Sequence, residues 1–158
     1  MSVNKDKPHV MVLSEDDANR QMAVGFLREI GQIRQMQILH VAGGWRKVLD
    51  RFQSEHVRAM NRHRTRFMVL LIDFDGREDR PEDVKAAVPD HLTGRVFVLS
   101  TWTKPEELKK SLGAFETIGA AMATDCREGT AATWGHELLQ HNAPELERLR
   151  ERVRPILF

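Results

Sequence analysis

The chain has 158 residues, 41% hydrophobic and 30% charged, with a formal net charge of +1. That is the length of one domain and the composition of an ordinary folded protein, which excludes disordered, collagen-like and mucin-like chains. The single cysteine, Cys126, excludes an internal disulfide and a multi-cysteine zinc site within one chain, and suits a reducing cytosol.

In chain order, the opening MSVNKDKPHVMVL has an apolar core of only four residues, short of a secretory h-region. The longest apolar run, Phe67–Ile72, is far below the ~20 residues of a spanning helix. The expected location is cytoplasmic. Four runs read as strands: His9–Leu13, Met36–Ala42, Phe67–Asp73 and Arg95–Ser100. They lack polar alternation, as strands covered on both faces do. Between them lie helical patterns at Asp16–Ile30, from Trp45 to Phe52, and from Pro81 through Val88. Residues 53–66 read as a mobile insertion. The order β-α-β-α-β-α-β predicts a Rossmann-like α/β domain with a mainly parallel four-stranded sheet and right-handed crossovers.

After Ser100 the pattern is helical: a helix from Pro105 to Gly113, then Glu116–Asp125, Thr133–His141 and Pro144–Val153. The last is rich in charge and reads as a solvated face. Ile156–Phe158 reads as a short fifth strand or a docked tail. The expected organisation is one domain over residues 1–158, with a core at about 9–110 and a helical extension over 111–158.

Charge is unevenly laid out. Trp45 to Arg66 carries seven bases against two acids, and Asp73 to Asp90 carries seven acids against three bases. A basic strip beside an acidic cluster suits an enzyme that holds cations with its acids and a polyanion with its bases. The competing reading is a solvated helix and loop with unrelated local bias.

In open α/β sheets ligands bind at the carboxyl ends of the strands. There this sequence has Glu15 after the first strand, Gly43-Gly44 after the second, and Asp73-Phe74-Asp75-Gly76 after the third. In extended backbone Asp73 and Asp75 would point to one side and share a hard cation. Glu15 would add a third oxygen or act as general base. Such ligands favour Mg²⁺ or Mn²⁺ over zinc. Gly43 and Gly44 would let backbone approach a phosphate.

With these residues the chain resembles the Toprim fold of topoisomerases, primases and overcoming-lysogenization-defect type nucleases. Glu15, Gly43-Gly44 and Asp73-x-Asp75 stand where that family has its glutamate, glycines and DxD pair. The resemblance implies Mg²⁺-dependent cleavage or phosphoryl transfer on DNA or RNA. Glu15, Asp73 and Asp75 would be catalytic and metal-binding, and Gly43, Gly44, Arg46, Lys47, Arg62, Arg64 and Arg66 would hold nucleic acid. It also implies a nuclease-like subunit that works beside an ATPase or another protein, as in phage defence or DNA repair. Asp16 replaces the glycine that usually follows the glutamate. The chain has no tyrosine, which excludes topoisomerase transesterification.

The stretch VMVLSEDDANRQMAVGFLREIG also resembles the opening of a response-regulator receiver domain. That resemblance implies an acidic pair of Asp16 with Asp17 or Glu15, phosphorylation of Asp73, a switch hydroxyl at Ser100 or Thr101, and Lys104-Pro105. Hydroxyl and lysine lie three or four residues apart here, with no strand between them. A third reading is a non-catalytic binding module whose carboxylates pair with Arg77 or Arg95.

Other signals carry less. His136 and His141 are five apart, not the four that place two zinc ligands on one helix face, and read as surface or cap residues. His56 and His63 read as part of the basic strip. His9 and His40 read as core histidines and Cys126 as buried and inert. Trp45 reads as a helix anchor, and Trp102 as a residue lining the site.

Overall fold

The computed structural model describes residues 2–158. Its strands are β1 (His9–Ser14), β2 (Met36–Ile38), β3 (Arg66–Leu71) and β4 (Val96–Leu99). They form one parallel sheet in the order β2-β1-β3-β4. The central strand β1 is buried along its whole length, which explains its unbroken apolar run. Alternate residues serve opposite faces: Val10, Val12, Val69 and Phe97 enter one core, and Met11, Leu13, Met68 and Leu70 the other.

On the first face lie α1 (Asp17–Glu29), α6 (Phe115–Glu128), α7 (Ala143–Arg152) and α8 (Arg154–Leu157). On the second lie α2 (Trp45–Arg51), α3 (Val57–Arg62) and α4 (Arg80–Ala86). A short α5 (Glu106–Leu112) leads into α6. The C-terminal helices are a layer of the core, since Ile118, Met122, Leu149, Val153 and Leu157 pack against the sheet.

Helix α1 starts where the Asp16 carboxylate accepts the Asn19 N–H at 3.0 Å, a side-chain N-cap. Helices α1 and α6 touch backbone to backbone. A Cβ at Gly25 would strike the Glu116 carbonyl, and a Cβ at Gly119 the Met22 carbonyl. Glycine is needed at both positions for the helices to come this close.

Several elements differ from expectation. Residues 53–66 are not a mobile insertion: a π-helical stretch, Phe52–His56, joins α2 to α3, and fully buried Phe52 and Met60 hold it to the sheet. Strand β2 stops at Ile38, so His40 lies beyond it and is exposed. Residues 133–139 form turns rather than a helix. The Asp125 carboxylate accepts the N–H groups of Thr133 at 2.7 Å and Trp134 at 3.1 Å, which turns the chain and sends the Trp134 ring into the core. The C-terminal tail is helical and docked: the Leu157 carbonyl accepts N–H bonds from Gly31 and Gln32.

The outer edge of β4 is closed by side chains from the segment entering α7 and from α7 itself. Asn142 accepts the Ser100 N–H at 3.0 Å and donates to the Ser100 carbonyl at 2.7 Å. Glu145 accepts the Val98 N–H at 2.8 Å, and Arg148 donates to the Val96 carbonyl at 3.4 Å. Buried backbone groups need such partners, and covering an edge strand prevents pairing with another chain. The charged face of α7 read as solvated is therefore partly a strap over the sheet.

Candidate functional site

The loops after the four strands meet at the carboxyl edge. Asp73 follows β3 and is only 5% exposed. Its Oδ1 accepts from Asn19 Nδ2 at 3.0 Å and lies 3.1 Å from Thr101 Oγ1. Glu15, after β1, accepts the Asp73 N–H on Oε2 at 2.7 Å. The chain after β2 is tied to the same place, with Gly43 N–H donating to the Glu15 carbonyl at 2.9 Å. Gly43 and Gly44 have φ of +92° and +153°, and the space where a Gly44 side chain would stand is open.

Asp75 behaves differently. Strand β3 has already ended at Leu71, and Asp75 has φ +52°, a left-handed conformation that Asp tolerates better than most residues. Its carboxylate is exposed and pairs with Arg80 at 2.6 Å. The extended spacing expected to put Asp73 and Asp75 on one side does not hold here. The Arg80 side chain is 7% exposed, donates to the Asp73 carbonyl at 3.0 Å, and lies 4.3 Å over the Trp45 ring.

Burial pushes the Asp73 carboxyl up to about 7, reinforced by the charges of Asp16 and Glu15 and partly offset by the Asn19 and Thr101 hydrogen bonds. Glu15 is also raised, first by burial and then by Asp16 and Asp75, against the lowering effect of the Asp73 N–H. A divalent cation would relieve this crowding of negative charge. Among the described residues, no three His, Cys, Asp or Glu side chains group around one ion position. Glu15 and Asp73 alone would leave most of the six positions of a Mg²⁺ ion to water.

The basic residues divide. Arg46 and Lys47 start α2 on the carboxyl edge and are exposed, with Arg46 4.7 Å over the Trp45 ring. Arg62, Arg64 and Arg66 lie at the amino edge, about 20 Å away along β3 at ~3.3 Å per residue. Arg62 and Arg64 are exposed, whereas Arg66 is buried and donates from Nε to His9 Nε2 at 2.9 Å. The second His9 nitrogen meets the Lys7 carbonyl at 2.8 Å, so His9 is a satisfied core histidine. Lys104 is exposed. Cys126 is buried, and burial pushes its thiol up.

Sequence reasoning missed Asn19, Arg80 and the packing of His141. The signal for Asn19 was its position three residues after the capping Asp16. Arg80 sat in a run of charges and looked solvated. His141 is half-buried, with its ring 5.7 Å from that of Phe74 and 5.5 Å from that of Trp102, a contact that only the folded chain creates. No family model, curated protein or solved structure matches this chain.

Proposed function

We propose that the carboxyl edge is a Mg²⁺-dependent phosphoryl-transfer site whose substrate is a nucleic-acid phosphodiester. The observation that carries this reading is the tie between the loops: the Glu15 carboxylate accepts the Asp73 backbone N–H at 2.7 Å, and the Glu15 carbonyl accepts the Gly43 N–H at 2.9 Å. A bound Mg²⁺ would supply Lewis-acid polarisation of a phosphoryl oxygen. Glu15 and Asp73 would hold it, while Asn19 and Thr101 fix the Asp73 carboxylate. The open backbone at Gly44, with exposed Arg46 and Lys47 beside it, suits a phosphate. Asp75 enters as the partner that orients Arg80.

The test is nicking of supercoiled plasmid in Mg²⁺, Mn²⁺ or EDTA. Wild type is expected to nick only with metal, and Asp73→Asn to lose about a hundredfold or more of the rate. Cleavage in EDTA, or an unimpaired variant, contradicts the proposal.

One observation favours a second reading, phosphorylation of Asp73 itself. The Thr101 hydroxyl lies 3.1 Å from the Asp73 carboxylate just past the end of the adjacent strand, and the order β2-β1-β3-β4 is that of the first four strands of the five-stranded flavodoxin-like sheets, which include a receiver protein. Under this reading intact mass rises by one phosphoryl group after treatment with a small phosphodonor and Mg²⁺, and Asp73→Asn does not react.

A further inference from the structure

Outside β4, between α4 and α7, lies a groove of about 690 Å³, within the size range of small-molecule sites. Its floor is the half-buried Val98. At the carboxyl edge its wall is aromatic: the Phe74, Trp102 and His141 rings stand 5.5–6.3 Å apart, centre to centre. Phe74 lies between Asp73 and Asp75 in the chain, and Trp102 follows Thr101. The two loops are joined by the Gly76 N–H, which donates to the Trp102 carbonyl at 2.6 Å.

The rim of the groove carries two cations, Lys85 and Arg148. Arg148 is tied to Glu145 and the Thr93 carbonyl. Lys85 is exposed and forms no salt bridge among the described residues.

We infer that this groove takes an unstacked base of single-stranded nucleic acid, which stacks on Trp102 while a flanking phosphate reaches Lys85. The chemistry is that of single-strand binding, an aromatic face combined with a cation on the backbone track. A duplex keeps its bases stacked on one another and cannot present one to Trp102. This inference rests on the nucleic-acid reading above and gives it a strand preference.

The test is fluorescence anisotropy with a labelled oligothymidylate and a labelled duplex of equal length, both in EDTA, so that binding is read without cleavage. The single strand is expected to bind more tightly than the duplex. Trp102→Ala should weaken it roughly five- to hundredfold, and Trp102→Phe should retain most of the affinity. Lys85→Gln should lower the slope of log affinity against log salt by about one. Thermal unfolding of each variant checks that the fold is kept. Equal affinity for single strand and duplex overturns the inference, as does a folded Trp102→Ala that binds like wild type. A mononucleotide that binds as tightly as the oligonucleotide also overturns it. Metal-dependent nicking with Trp102-indifferent binding removes the groove and leaves the catalytic site. Trp102-dependent binding without nicking removes the catalytic site and leaves the groove.

Discussion

Burial and the neighbouring carboxylates hold Asp73 protonated up to about pH 7, against an ordinary value of 3.8. Between those two values the folded chain keeps a proton that the unfolded chain releases, so stability falls as pH rises through the window. Above about pH 7 the full cost of a buried charge is present; below about pH 4 it is absent. Asp73→Asn keeps an acceptor for Asn19 and Thr101 and carries no charge. Without metal it should therefore be more stable than wild type at pH 8, by roughly 1–4 kcal/mol, with the margin closing as pH falls toward 4. Thermal unfolding across pH in EDTA measures this; a margin that does not change with pH contradicts the environment described for Asp73. The residue scale also shows where a sequence misleads. Arg66 belonged to a basic run and read as a phosphate contact, yet it opens β3 directly across from His9 in the register of β1. The pairing buries it, and only the register reveals the partner. Asn19 and Arg80 were hidden in the same way, because a polar residue in a helix looks solvated until the carboxylate it meets is known.

At the scale of elements, the tightest contact is between α1 and α6, where Gly25 and Gly119 each face the other helix's backbone. Gly119→Ala would gain about 1 kcal/mol in helix propensity. Against that, its methyl group would strike the Met22 carbonyl, and overpacking of this kind costs about 1–3 kcal/mol and occasionally more. A backbone obstacle cannot change rotamer, so the expected net loss is about 2 kcal/mol, read as a lower midpoint in urea. An unchanged or raised midpoint would show that the helices are not in such contact. The strand cores were legible because apolar runs of four to six residues between turn signals leave few alternatives. The cover of β4 was not, because Asn142, Glu145 and Arg148 differ from ordinary surface residues only once β4 is known to be an edge. The bridge from α2 to α3 was missed for a related reason. Its apolar anchors, Phe52 and Met60, are separated by polar residues and by the π-helical stretch, which interrupts the 3.6-residue period.

For the molecule as a whole, a parallel sheet sends every strand-end loop to one edge. The sequence therefore placed Glu15, Gly43-Gly44 and Asp73 together from strand order alone, and the folded chain has them within one hydrogen-bonded set. The same rule separated the basic run, because a helix that leaves the carboxyl edge must return to the amino edge before the next parallel strand begins. Arg46 and Lys47 stay beside the carboxylates, and Arg62, Arg64 and Arg66 go to the far side. The groove beside β4 is lined at the carboxyl edge by Phe74 and Trp102, which adjoin Asp73 and Thr101 in the chain. The central claim, that Glu15 and Asp73 hold a divalent cation, is tested most directly by calorimetric titration with Mg²⁺ at pH 7 in two buffers of different ionisation enthalpy. Wild type should bind with release of a fraction of a proton, since Asp73 is partly protonated there and the cation favours its charged form, and Asp73→Asn should give no binding heat. Equal binding by the variant, or no heat from wild type, would contradict the site.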